Sequence, residues 1–205
     1  MKNELIQVFI SGGYVMFPLL ICSLISMTII IERLINLREK KIIKPGEINK
    51  LYELIEKGFY DKAQELCIAS PGPLNNIMKV ILENRTLLPE NVRQLVSDTA
   101  QFELPAIEKF LAALSTMASA SPLLGLLGTV TGMMKVFHVI TTIGLGEPAA
   151  LSGGIAEALI TTVFGLAIAI PSLIMHNLFQ RKAEVIIGKI EALSLQLMRK
   201  TVKMQ

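Results

Sequence analysis

The residues best able to do chemistry in this chain are polar side chains set among apolar ones. Thr129 and Thr162 interrupt long apolar runs, and each hydroxyl can both donate and accept hydrogen bonds. Glu157 is the only acidic residue among the apolar segments, and Lys135 is a candidate partner for it. An ionisable group at membrane depth is a functional candidate by default. Glu157 therefore has two interpretations, an interfacial ion pair with Lys135 or a direct place on an ion path.

Small and weakly polar residues recur every three or four positions around both threonines, as on one face of a helix. The stripes are Ala118, Pro122, Gly125, Thr129 and Gly132, and then Ala158, Thr162, Gly165, Ala169 and Ser172. Such stripes let helices pack closely in lipid. They can also form the wall of a pore or a sleeve around another helix, and both roles can share one face. No carboxylate lies midway along any apolar run, which favours a partner that supplies one.

No arrangement typical of an enzyme, a metal site or a nucleic-acid interface accompanies these residues. His138 and His176 have no cysteine or acidic residue at ligand spacing. Cys22 lies in an apolar run and Cys67 in a charged region, so neither a disulfide nor a metal site is expected. A net charge of +3 without tryptophan gives no basis for nucleic-acid binding. We predict no catalytic residue, no cofactor and no metal; an enzyme with a membrane anchor is the least favoured hypothesis.

Three uncharged runs are long enough to cross a membrane as helices. They cover residues 14–31, 110–134 and 158–180, and a bilayer core of about 30 Å needs about 20 helical residues. A lone strand cannot satisfy its backbone in lipid, so helices are predicted. The fold class is therefore an all-α integral membrane protein with three transmembrane helices and long cytoplasmic extensions. The first run is expected to be retained, because positive charges follow it instead of preceding it.

Lysine and arginine placement predicts the orientation. Residues 33–109 hold twelve of the 20 and residues 181–205 hold six, whereas residues 1–14 and 135–154 hold one each. The positive-inside rule then places the N-terminus in the periplasm and the C-terminus in the cytoplasm. The predicted segments are an N-terminal periplasmic segment 1–14, transmembrane helix one 15–37, a cytoplasmic helical region 38–109, transmembrane helix two 110–145, a periplasmic loop 146–153, transmembrane helix three 154–180 and a cytoplasmic C-terminal helix 181–205.

Apolar stripes in the cytoplasmic region predict short amphipathic helices around 48–55, 63–67 and 74–82. A longer helix is expected to begin at Pro89. No stop signal separates it from the second span, so we expect Pro105 to kink one continuous helix. The third span is likewise expected to continue as a helix into the C-terminal tail.

Two long motifs resemble those of the MotA/TolQ/ExbB proton channel family. Residues 121–133, SPLLGLLGTVTGM, are similar to its second-span signature, and residues 153–171, GGIAEALITTVFGLAIAIP, to its third-span signature. The segment from Gly12 to Pro18 and the Glu32-Arg33 pair resemble the first-span edges of ExbB-like members. MotA proteins have four spans and a larger cytoplasmic domain, so a flagellar role is not expected.

The resemblance implies a ring-shaped homo-oligomer, a pentamer, with a pore lined by the second and third spans. The pore would hold two copies of an ExbD/TolR-like single-span partner whose titrating Asp faces Thr129 and Thr162. Glu157 matches the family's span-three acid, and Pro122 and Pro171 match its prolines. A TonB/TolA-like protein and membrane lipid are the other partners implied. The implied function is to couple the proton motive force at the bacterial inner membrane to TonB-dependent outer-membrane import.

Two alternatives stay open at this point. The chain can be a TolQ-like subunit that serves envelope integrity and division, or a non-conducting oligomeric scaffold in the membrane. Thr161 beside Thr162 also leaves the coupling ion, proton or sodium, undecided.

Overall fold

The computed structural model describes residues 9–143 and 148–202, with side chains described for residues 9–142 and 151–201. Parts of the predicted segments 1–14, 110–145, 146–153 and 181–205 lie outside these residues. In chain order the helices are α1 (Met16–Asn36), α2 (Glu39–Ile42), α3 (Pro45–Glu56), α4 (Tyr60–Ala69), α5 (Pro73–Glu83), α6 (Pro89–Ile107), α7 (Leu111–Ile143) and α8 (Pro148–Val202).

The part of the chain that the structure describes contains helices and turns but no strand. Three helices, α1, α7 and α8, are long and apolar enough to cross a membrane. These findings confirm the predicted all-α membrane fold with three transmembrane helices. The chain divides into two compact units, which we call the apolar unit (residues 1–31 and 110–178) and the polar unit (residues 32–109 and 179–205).

The apolar unit has a small core at the start of α1. Val15, Met16 and Leu19 are each 1% exposed. The side chains packed against them are Phe9, Leu124 of α7, and Ile160, Phe164 and Ile168 of α8. Most other large apolar side chains of the three helices point outward, as Leu24, Leu126 and Leu173 do. Apolar surface of this extent must be covered by lipid or by other protein.

The polar unit is built from short helices with clear boundary signals. Helices α3, α5 and α6 each begin with a proline, whose missing N–H is not needed in the first turn. Gly58, at φ +73°, separates α3 from α4. Successive helices from α3 to α6 pack against one another. Their apolar stripes are buried, as at Ile55, Ala63 and Ile81, so the predicted amphipathic helices are confirmed.

The predicted continuous helix from Pro89 into the second span was wrong. Helix α6 ends at Ile107, the backbone turns at 108–110 with Phe110 at φ +66°, and α7 begins at Leu111. Pro105 cannot donate a backbone hydrogen bond, so it weakens the last turn of α6. The buried Arg33 guanidinium also donates to the Ile107 carbonyl at 3.3 Å, which stabilises that helix end.

The corresponding expectation for the third span is confirmed. Helix α8 continues without a break from Pro148 to Val202, well past the predicted end of the third span at residue 180. Pro171 lies inside this helix, as Pro122 lies inside α7.

Candidate functional site: the seam between the second and third spans

Helices α7 and α8 approach each other closely along a seam of small residues. A Cβ added at Gly165 would lie 2.6 Å from the Ser121 carbonyl oxygen, and one at Gly132 would lie 2.8 Å from that of Gly154. Real side chains do not reach such distances, so glycine is required at both positions. Close packing, one of the two roles considered for the stripes, is therefore directly visible in the seam.

The seam brings Thr129 and Thr162 together, and their hydroxyl groups are hydrogen-bonded to each other. The Thr129 hydroxyl also lies 3.3 Å from the Gly125 carbonyl of its own helix and 3.2 Å from the Ala158 carbonyl across the seam. The Thr162 hydroxyl lies 3.3 Å and 3.2 Å from the same two carbonyls. Each hydroxyl hydrogen thus has several acceptors within reach, and rotation about the C–O bond can choose among them.

Consecutive threonines of α8 occupy opposite flanks of the seam. Thr161 is fully buried, and its side chain lies so close to Gly128 that a Cβ there would be 2.4 Å from the Thr161 Cβ. Thr162, about 100° further around the helix, faces Thr129 and stays half-buried.

Helix α1 covers only one of these flanks. Its core residues pack on Leu124 and Phe164, which lie about 140° and 160° around their helices from Thr129 and Thr162. The flank with the two hydroxyls is therefore left uncovered in a single chain. A surface of this kind can face a lumen or another protein.

The predicted stripe residues differ in exposure. Most are buried within the chain, namely Ala118, Gly125, Gly132, Ala158, Gly165, Ala169 and Ser172. The half-buried ones are Pro122, Thr129 and Thr162. Buried members set the distance between the helices, whereas only the half-buried ones are accessible to a neighbouring group.

Glu157 and Lys135 form an ion pair at the end of the seam where α8 begins. The Lys135 ammonium lies 2.6 Å and 2.7 Å from the two carboxylate oxygens. Glu157 is buried at 7% exposure, whereas half of the Lys135 side chain is exposed. The Lys135 ammonium also lies 5.6 Å from the centroid of the Tyr14 ring, within cation–π range. The structure thus brings together the two charged residues singled out from the sequence.

Gly13 is part of this site, although the sequence analysis did not assign it a role there. A Cβ at Gly13 would lie 2.1 Å from the nearer carboxylate oxygen of Glu157, and its φ of +69° also favours glycine. The carboxylate therefore packs directly against the backbone turn that precedes α1. The adjacent glycines before the first span were the available signal, but the sequence alone does not reveal their neighbour.

Among the described residues, no three histidine, cysteine or acidic side chains cluster as they would around a metal. The arrangement offers hydroxyl groups on an accessible flank, small side chains beneath them and a neutralised carboxylate at one end. It can guide or contact a polar group on another helix.

Residues 69–192 match the model of the MotA/TolQ/ExbB proton channel family. Biopolymer transport protein ExbB-like 3 of Synechocystis sp. is 34% identical over 83% of this chain and 82% of its own length. The TolQ protein of the Tol-Pal system of Pseudomonas aeruginosa is 39% identical over 49% of this chain and 43% of its own length. The TolQ protein of Haemophilus influenzae is 31% identical over 76% of this chain and 73% of its own length.

The family match covers more than half of the chain, including the whole seam. Members of this family are channel and transport subunits and not enzymes. The three apolar helices agree with a multi-pass membrane protein. The chain belongs to the MotA/TolQ/ExbB proton channel family, and its similarity to relatives is of the ExbB/TolQ kind.

Proposed function

We propose that copies of this chain form a ring, five in number, in the bacterial inner membrane. The accessible flank carrying Thr129 and Thr162 would line the lumen of this ring. The lumen encloses the single spans of an ExbD/TolR-like partner, expected in two copies. An Asp of that partner supplies the carboxylate that this chain lacks midway along its apolar runs. Proton flow past that Asp drives work on a TonB-like protein and so import across the outer membrane.

The observation that carries this proposal is the hydroxyl pair on the flank that α1 leaves uncovered. A protonated Asp can donate to a threonine oxygen, and an ionised Asp can accept from a threonine hydroxyl that rotates away from a carbonyl. Thr129 and Thr162 can therefore solvate the partner acid in both protonation states. This is what a site on a proton path requires.

The small side chains of the seam suit a device that moves. One proton crossing about 100 mV releases about 2.3 kcal/mol, which is comparable with one or two hydrogen bonds to a charged group. A rotating guest helix must therefore pass over weak contacts. Pro122 and the threonine methyl groups offer such contacts beside the hydroxyl pair.

The orientation proposed from charge places the N-terminus in the periplasm and the C-terminus in the cytoplasm. Glu157 and Lys135 would then lie at the periplasmic end of the pore. Their direct ion pair supports a positioning role for Glu157 over a role as a proton carrier.

Substitution of the threonines by valine tests the pore proposal, because valine keeps the shape and removes only the hydroxyl. The chain would be reconstituted in liposomes with an ExbD/TolR-like single-span protein whose span carries an Asp. We expect Thr129→Val and Thr162→Val each to reduce partner-dependent proton flux about tenfold or more, from the lost charge-assisted hydrogen bond. Thr161→Val is the matched control, because Thr161 lies on the covered flank. Flux equal to that of the unsubstituted chain in all three variants would refute conduction past these hydroxyls. Absence of partner-dependent flux in the unsubstituted chain itself would favour the scaffold hypothesis.

The ExbB-like role is favoured over a TolQ-like role because of the length of the alignments. The ExbB-like relative from Synechocystis sp. aligns over 83% of this chain and 82% of its own length, whereas the TolQ relative from Haemophilus influenzae aligns over 76% and 73%. The TolQ relative from Haemophilus influenzae keeps the second role as an alternative. Deleting the gene separates the two roles. Loss of uptake of a scarce receptor-bound nutrient with an intact envelope supports the first, and leakage of periplasmic proteins supports the second.

A further inference from the structure

Helix α6 carries an exposed phenyl ring on one side and a groove on the other. Phe102 is 83% exposed, the largest exposed fraction of any large apolar side chain in the described part of the chain, although phenylalanine is among the residues most often buried. The groove, about 410 Å³ in volume, lies between α5, α6 and α8 and is lined on α6 by Arg93, Val96, Ser97 and Leu104. Its lining mixes apolar side chains with polar ones.

The phenyl ring of Phe102 and the groove lie on different sides of α6. Successive residues of an α-helix are 100° apart around its axis. Measured around that axis from the buried Val92, Phe102 lies about 80° in one direction and Leu104 about 120° in the opposite direction. Phe102 and the groove therefore lie on opposite flanks of α6, and the phenyl ring cannot fill the groove of its own chain. A contact between two different faces of identical chains is head-to-tail, and such contacts form a ring when the rotation between copies closes.

The two flanks of α6 carry opposite charges. Asp98 lies one helical turn before Phe102 on the same flank and is exposed, with one hydrogen bond from Gln94. Arg93 of α6 and Glu191 of α8 both line the groove and are exposed. Among the described residues no carboxylate lies within ion-pair distance of Arg93, so its guanidinium can face Asp98 of another copy.

The heights of these residues along α6 are also compatible. In a ring whose axis is parallel to α6, residues at equal heights meet, so Phe102 reaches the groove beside Leu104. Asp98 then stands about 7.5 Å along the helix from Arg93 of the next copy, a distance that an arginine side chain can span.

We propose that Phe102 of one copy inserts into the α5–α6–α8 groove of the next copy, with Asp98 facing Arg93 across the contact. The occupant of the groove is thus a second copy of this chain. The inference rests on the ring of the proposed function and adds to it the residues that join neighbouring copies.

Disulfide cross-linking in native membranes tests the contact. The variant carrying both Phe102→Cys and Ser97→Cys places one thiol on each flank of α6, too far apart to pair within a chain. Mild oxidation should give a ladder of dimers, trimers and larger species up to the ring size. The matched controls, Phe102→Cys alone and Ser97→Cys alone, should stay monomeric, because the native Cys22 and Cys67 are buried.

Other outcomes overturn the inference in distinguishable ways. Dimers from Phe102→Cys alone would mean a two-fold contact through the same face. An intact ring by particle mass, with no ladder from the double variant, would mean that another molecule or lipid covers Phe102, and the pore proposal would still stand. A monomeric particle would end both proposals.

Charge exchange gives a second measurement that does not depend on cysteines. Asp98→Arg and Arg93→Asp should each reduce the fraction of chains in the ring, because like charges then face each other. The double variant should restore it, because the pair is re-formed with reversed sign. Failure of the double variant to recover, with helix content unchanged, would contradict the predicted pairing.

Discussion

The ammonium of Lys135 lies 2.6 Å and 2.7 Å from the two carboxylate oxygens of Glu157 and neutralises a charge that is 7% exposed. Removing the cation alone leaves a buried carboxylate without its partner. We expect Lys135→Met to lower the free energy of unfolding by about 1–3 kcal/mol, towards the lower end because water reaches Lys135. Thermal unfolding in detergent, followed by circular dichroism, measures the loss. The double variant Lys135→Met/Glu157→Gln should be more stable than Lys135→Met; additive losses would contradict the pairing.

The turn at Gly13 supports a second prediction. Gly13→Ala places a methyl group against the Glu157 carboxylate and forces φ +69° on a residue with a side chain. We expect it to lower the free energy of unfolding by at least about 1 kcal/mol. Gly153→Ala is the control, since a Cβ there meets no atom within 4 Å. If both alanines have the same effect on the thermal midpoint, the carboxylate does not rest on Gly13.

The close approach of α7 and α8 gives a third prediction. Gly165→Ala must push the helices apart, because its Cβ would lie 2.6 Å from the Ser121 carbonyl oxygen. The hydroxyls of Thr129 and Thr162 then separate, and partner-dependent proton flux should fall even though no polar group has been removed. Gly188→Ala meets open space and should be stabilising by up to about 1 kcal/mol. Normal flux in Gly165→Ala would show that the seam tolerates a wider spacing.

Glu47 in the polar unit makes stability depend on pH. Burial alone would raise the pKa of Glu47, but hydrogen bonds from Ser70 at 2.8 Å, Asn75 at 3.2 Å and Lys44 at 3.3 Å outweigh it and hold the pKa below the ordinary 4.5. A carboxyl whose pKa is lowered by folding stabilises the protein above the unfolded value. That stabilisation is lost as the pH falls from about 4.5 through the lowered pKa.

Glu47→Gln should therefore lower the free energy of unfolding at neutral pH by about 1–2 kcal/mol. The difference from the unmodified chain should shrink as the pH falls through the lowered pKa of Glu47, because both side chains are uncharged below it. Glu53→Gln, on the exposed side of the same helix α3, is the control and should change little at either pH. If the difference in the free energy of unfolding between Glu47→Gln and the unmodified chain persists in acid, the charge of Glu47 is not its cause.

Cys67 should be chemically inert in the folded protein. It is 2% exposed, and burial, helped by the nearby charge of Glu47, raises its pKa to about 11. At pH 8 only about one thiol in a thousand is then the reactive thiolate. We expect a maleimide to modify Cys67 only after unfolding, whereas a cysteine introduced in place of the exposed Glu53 should react at once. Fast modification of Cys67 in the native protein would show that α4 opens locally.

The sequence predicted the three spans and the short helices because their signals are local. An uncharged apolar run of about 20 residues is enough to predict a membrane-spanning helix. The prolines at 45, 73 and 89 mark the starts of α3, α5 and α6. The end of α6 was missed because it depends on a contact between Ile107 and the distant Arg33 as well as on Pro105. The contact with Arg33 leaves no pattern within residues 89–110, and Pro105 alone is compatible with either a kink or an end.

The candidate site was predictable in composition but not in arrangement. Spacing identified the threonines and the glycines, yet it could not say which of Thr161 and Thr162 would be covered. That depends on where α1 packs, which its own sequence does not specify. The contact of Gly13 with Glu157 is likewise a matter of tertiary structure.

The unbroken course of α8 has a consequence for how such chains can change in length during evolution. Inserting or deleting one residue inside a helix turns everything beyond it by about 100°, which would move Thr162 off its flank or rotate the stripe that follows. The backbone at 108–110 between α6 and α7 is not helical, so an insertion there does not rotate side chains around a continuous helix. Homologous chains should therefore accept single-residue insertions at this break and reject them within α8, where only changes near whole helical turns keep the same faces aligned.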